Sequence, residues 1–104
     1  MQALAKPGDF RQLFRSGRKY QSSHLEFFYL SIPKDELKLA VAIKKKFGTA
    51  VVRNRIRRRI KEFLRQKKFL TGTLLIIQKS NLSAAQARKQ LIQELHKALE
   101  ILVR

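Results

Sequence analysis

Apolar residues recur along this chain with two different periods. From Leu37 to Lys44 ("LKLAVAIK"), Leu39, Val41 and Ile43 alternate with Ala40, Ala42 and Lys44. A period of two sends successive side chains to opposite faces, so the segment predicts a half-buried strand. "HLEFFYLSI" from His24 and "TGTLLIIQK" from Thr71 are denser runs of branched and aromatic residues bounded by turn residues. Both predict strands, the second a buried one. "RKYQSS" from Arg18 is a shorter strand candidate, and "PKDELK" a polar turn.

Three other segments follow the helical period. In "KPGDFRQLFRSG", Phe10, Leu13 and Phe14 share a face, Pro7 stands at the start and Gly17 predicts a left-handed cap at the end. In the middle helix Val52, Ile56, Ile60 and Phe63 fall in one sector, with Leu64 at its edge. In "NLSAAQARKQLIQELHKALEILVR", Leu91, Leu95, Leu99 and Leu102 with Ile92 and Ala98 form the buried face. Ser83 and Gln86 have the spacing of a capping box there. The order is α-β-β-β-α-β-α. It predicts an α+β fold in two layers: a four-stranded sheet with helices on one face and the other face open. With 104 residues and no repeat or linker, residues 1–104 are expected to form a single domain.

Charge changes the picture at the middle helix. The formal net charge is +17, and the stretch Lys44 to Lys68 holds twelve of the twenty-four Lys and Arg against one acid, Glu62. Asn54, Arg57, Arg58, Lys61 and Arg65 lie opposite the apolar stripe, while Arg53, Arg55 and Arg59 flank it. Like charges repeat at four-residue spacing through Arg53, Arg57, Lys61 and Arg65, each pair costing a few tenths of a kcal/mol. Phosphates would offset that repulsion. A basic ridge docked by its apolar side therefore predicts a polyanionic partner, nucleic acid first and an anionic membrane surface second. Arginine suits phosphate and the exposed edges of RNA. Asn54 reads equally as an orienting or base-touching group and as a surface polar residue near a helix start.

Other classes lose ground. No run of about eighteen apolar residues could span a bilayer, and "MQALAKPGDF" has no signal-like apolar core. The apolar stripe of the basic helix is needed for a core rather than a membrane surface. With cysteine absent there are no disulfides or thiolate metal sites, and a cytoplasmic setting is expected. Of the seven acids only Asp35 and Glu36 are adjacent, His24 and His96 belong to no motif, and the four glycines form no phosphate loop. No catalytic residue and no metal site are expected in this chain.

One stretch goes further. Lys45, Lys46, Phe47, Gly48, Thr49, Ala50, Val51, Val52, Arg53, Asn54 and Arg55, followed by Ile56, Arg57 and Arg58, resemble the Lys-Lys-x-Gly-x-Ala-Val-x-Arg-Asn-Arg motif of the protein subunit of bacterial ribonuclease P. Upstream, Asp9, Phe10, Phe14 and Gly17 match the family's spacing. The chain departs from the pattern at Lys44, where Ser is frequent, and after "LLIIQKSN", where many relatives have Pro. Only Lys6 precedes Asp9, so contacts of a basic N-terminal arm are not carried over.

The resemblance implies a left-handed crossover through the basic helix, against the usual hand. It implies a holoenzyme, an endoribonuclease, that removes the 5′ leader of precursor tRNA, with catalysis and Mg²⁺ in the large RNA subunit. Expected partners are the ribonuclease P RNA, one protein per RNA subunit, and precursor tRNA, with no membrane and no protein partner. Arg53, Asn54, Arg55, Arg57, Arg58, Lys61 and Arg65 would meet the RNA subunit. Phe10, Phe14 and Phe28, with Lys44, Lys45 and Lys46, would line a cleft for the single-stranded leader, where aromatic rings stack bases. By residue type alone the three phenylalanines read as core. Alternation groups Phe28 with Glu26 and Leu30, leaving Leu25, Phe27 and Tyr29 for the core. Gly48 reads either as a positive-φ turn before a helix capped by Thr49 or as an ordinary loop glycine. A small ribosomal or RNA-chaperone protein that binds structured RNA fits the composition equally well.

Overall fold

The computed structural model describes residues 1–33, 35–82 and 87–103. Its elements are β1 (Gln2–Ala3), α1 (Pro7–Ser16), β2 (Arg18–Gln21), β3 (Leu25–Leu30), β4 (Lys38–Ala42), α2 (Ala50–Arg65), β5 (Thr73–Gln78) and α3 (Ala87–Leu102), with a 3-10 turn at Lys45–Phe47. They build one mixed sheet in the order β1-β4-β5-β3-β2. β4 pairs parallel with β1 and β5, while β3 pairs antiparallel with β5 and β2.

The sheet has five strands where the pattern predicted four. The addition is β1, which sets Gln2 against Lys38 and Ala3 against Leu39. Two residues carry no readable period, and pairing with β4 alone makes them a strand. Leu4, just beyond, donates its N–H to Leu39 O at 2.9 Å and is buried.

Helices cover both faces, which corrects the one-faced expectation. Leu25, Phe27 and Tyr29 of β3, Leu39 of β4 and Leu74 and Ile76 of β5 meet Ile56, Ile60 and Leu64 of α2 and Leu91, Leu95, Ala98, Leu99 and Leu102 of α3 in the principal core. On the other face a smaller cluster joins Leu13 of α1, Leu4 and Leu75, with Phe10, Phe28, Leu30, Ala40 and Ile77 half-buried against it. β5 is apolar on both sides, and a strand of that kind needs cover on both.

The docking of each helix moved its buried row. α2 centres on Ile56, Ile60 and Leu64, while Val52 is exposed and Phe63 only half-buried. In α3 Ile92 is exposed, not buried. Glu94, by contrast, is buried, and it accepts hydrogen bonds from Ser22 Oγ, His24 N (2.7 Å), His24 Nδ1 (2.7 Å) and Gln90 Nε2 (3.0 Å). Burial pushes this carboxyl up, but the donors outweigh burial and hold it below the ordinary carboxylate value. Gly17 closes α1 with extended backbone (φ −77°, ψ 162°), not the predicted left-handed cap. Glycine is needed there for space: a Cβ would stand 2.4 Å from Leu13 O and 3.1 Å from Tyr29 O. The predicted Ser83–Gln86 cap lies outside the described residues.

Candidate nucleic-acid interface

The ridge begins where β4 gives way to α2. Lys44 leads into the 3-10 turn, and Gly48 follows with φ 142°. That backbone favours glycine, and a Cβ would also press on Val52 Cγ1 at 2.9 Å. Thr49 then caps α2, its side chain accepting from Val52 N at 3.3 Å. Of the two readings of Gly48, the positive-φ turn is the one observed.

Along α2, Asn54, Arg57, Arg58, Lys61 and Arg65 line one shallow depression. Asn54 has an orienting role within it: its Oδ1 accepts from Arg57 Nη1 at 3.2 Å, while Arg57 Nε donates to Val41 O of β4 at 3.5 Å. Arg57 is thus held between its own helix and the sheet. Arg55 is exposed outside this depression. Arg53 is half-buried, and its Nε is enclosed without an acceptor.

The second surface lies on the α1 side of the sheet. Strand register sets Lys19, Phe28, Leu75 and Ala40 in one row and Gln21, Glu26, Ile77 and Ala42 in the next. α1 crosses near the first row. Phe14, which is 55% exposed, puts its ring edge-on to Phe28 at 5.1 Å, and Phe10 stacks on Phe14 at 6.4 Å. Lys38 on β4 pairs with Asp9 of α1 at 3.3 Å. The second row lies beside the three phenylalanines, with Gln21 and Ala42 exposed, Ile77 half-buried and Glu26 buried, and we call this part-covered face the trough. Lys44 belongs to this face by its alternation with Ala40 and Ala42. Lys45 is exposed in the turn. Lys46 holds its Nζ 5.3 Å from the ring of Phe47, which packs against the principal core, so the structure pairs it with Phe47 rather than with the trough.

Sequence reasoning missed three residues here. Glu26, buried in that second row, pairs through Oε2 with Lys19 Nζ (3.1 Å) and through Oε1 with Lys79 Nζ (3.4 Å). Lys19 also sits 5.5 Å from the centre of the Phe28 ring. Burial alone would raise the Glu26 carboxyl, yet Lys19 and then Lys79 hold it below the ordinary value. The missing signal was pairing register, since the three come from β2, β3 and the residue just after β5. Among the described residues no three of His, Cys, Asp and Glu gather as metal ligands. Among them, too, no helix is long and apolar enough to cross a membrane.

This α+β arrangement has the fold of solved RNase P proteins. The protein from Staphylococcus aureus superposes with a TM-score of 0.74 at 23% identity, covering 94% of this chain and 95% of that one. The protein from Thermotoga maritima gives 0.67 at 22% identity, covering 98% and 96%. The family model described as Ribonuclease P matches residues 1–103, and the chain belongs to that family. The ribonuclease P protein component of Carboxydothermus hydrogenoformans is 41% identical over 74 residues, 66% of this chain and 63% of that protein. That of Thermus oshimai is 32% identical over 104 residues, 96% of this chain and 64% of the relative. The chain spans between half and two thirds of the length of the curated relatives it matches.

Proposed function

We propose that this chain is the protein subunit of a ribonuclease P holoenzyme. It docks on the catalytic RNA through the α2 ridge and takes the 5′ leader of precursor tRNA into the trough, one protein to each RNA subunit in the cytoplasm. The observation that carries this reading is the trough: Phe14 and Phe28 meet edge to face outside the principal core, on a face bordered by lysines. Aromatic faces stack unpaired bases with little regard to sequence, as a leader of varied sequence requires.

The chain's part is binding and positioning. Four of its carboxylates are already engaged: Asp9, Glu26 and Glu36 each answer a cation, and Glu94 answers His24, Ser22 and Gln90. Magnesium ions held by the RNA would supply the chemistry of hydrolysis, and the basic ridge would lower the repulsion between RNA segments that brings them near.

Reconstitution with a ribonuclease P RNA tests the proposal. At low Mg²⁺ the protein should stimulate leader removal from precursor tRNA, whereas a ribosomal or chaperone-type RNA binder would not. Phe28→Ala should weaken binding of leader-bearing substrate about tenfold and leave mature tRNA unchanged. Equal loss for both substrates would return Phe28 to the core and remove the trough from the function.

A further inference from the structure

Glu26 is out of place for a surface that meets an anion. In a protein of net charge +17, a carboxylate 6% exposed lies in the trough. Its two oxygens bind two ammonium groups, one from Lys19 of β2 and one from Lys79 just after β5. The lysine side chains are 58% (Lys19) and 45% (Lys79) exposed, and each ammonium has three donors, of which the carboxylate uses one. Donors therefore remain for a second oxygen ligand.

The backbone holds both lysines in register. Lys19 stands directly opposite Phe28, and Lys79 donates its N–H to His24 O at 2.7 Å, one step beyond the last β3–β5 pair. Free lysines sample many rotamers and lose that freedom on binding a phosphate. A shared carboxylate orders them beforehand and so lowers the cost of association. Phe28 receives Lys19 on its ring and lies in the row next to that of Glu26. A phosphodiester at the lysines would thus adjoin a base on that ring.

We propose that Glu26 is a positioning residue that sets Lys19 and Lys79 as a paired clip for the backbone phosphate of single-stranded RNA whose base lies on Phe28. This rests on the leader-binding reading of the trough. The clip makes a prediction opposite in sign to simple attraction. Glu26→Gln makes the protein one charge more positive, which by Coulomb's law alone tightens RNA binding. Loss of positioning weakens it.

The full chain titrated with an eight-nucleotide single-stranded oligouridylate, and the reconstituted holoenzyme titrated with precursor tRNA, give the readout. Lys19→Ala and Lys79→Ala should each weaken binding about fivefold and lower the log–log salt slope by about 0.7. Glu26→Gln should weaken binding about threefold, and that loss should vanish when both lysines are already alanine. Tighter or unchanged binding by Glu26→Gln overturns the clip, as does an equal loss without the lysines. Should Glu26→Gln lower the melting temperature, the double lysine variant decides, and an unchanged salt slope overturns the proposal. If Phe28→Ala spares leader binding, the trough reading itself fails. If Phe28→Ala weakens it while Glu26→Gln strengthens it, only the clip fails.

Discussion

Phe27 and Phe28 are neighbours on β3 and live in different surroundings. Phe27 is 1% exposed and leans on Tyr20 at 6.1 Å, within the core that α2 and α3 close. Phe28 is half-buried beside Phe14, with an ammonium over its ring. The acids differ in the same way. Glu94 on the closed side is answered by a hydroxyl, an amide, a backbone N–H and a histidine, whereas Glu26 on the open side is answered by two exposed lysines. The difference comes from cover. Two helices of 16 residues roof one face, while α1, with 10 residues, spans only about 15 Å of the other. The roofed face carries the principal core, while the part-roofed face keeps Phe14 exposed and Phe28 half-buried.

Stability measurements can break this comparison. Ile60→Ala on the roofed side should cost about 2–5 kcal/mol in urea unfolding, because Ile60 is fully enclosed. Phe28→Ala should cost clearly less, and equal losses would erase the distinction between the faces. Gly48→Val, which joins the ridge to the sheet, should cost roughly 1–3 kcal/mol from the strained φ, with further loss from the approach to Val52.

Acid sharpens it further. Glu94 and Glu26 are both held below the ordinary carboxylate value of 4.5. The stability they contribute is therefore full above that value and is lost as pH falls through their lower folded-state values. Glu94→Gln should cost about 1–3 kcal/mol at neutral pH and flatten the acid limb of a stability–pH curve. Glu26→Gln should flatten it less, since exposed lysine pairs are screened by solvent. An unchanged acid limb in Glu94→Gln would show that the latch between α3 and the β2–β3 turn carries no charge-dependent stability.

The smallest folding effect is expected on the ridge. Arg53→Ala with Arg55→Ala relieves like-charge repulsion and should move stability by only a few tenths of a kcal/mol. Affinity for the ribonuclease P RNA should nevertheless fall, with a log–log salt slope lower by roughly 1.8 if each side chain neutralises one phosphate. A slope that stays the same would take these two arginines out of the interface.

Local chemistry was legible along the chain wherever one element decides it. The alternation of Leu39, Val41 and Ile43 and the spacing of Ile56 and Ile60 are imprints of burial on a single strand or helix, so their element types could be read directly. So could the row of like charges on α2, because residues four apart on a helix are neighbours whatever the rest of the chain does. Gly48 and Thr49 belong here too, being neighbours at a single helix start. What lay outside that reach was decided between elements. Two residues became β1 because β4 offered an edge. Val52 and Ile92 turned outward because the angle at which a helix docks chooses the buried row. Glu94 found His24 seventy positions away, and Glu26 found Lys19 and Lys79 across the sheet. A period records which side of an element is buried. The partner that buries it, or leaves it part-exposed, is set by strand register and helix length in three dimensions.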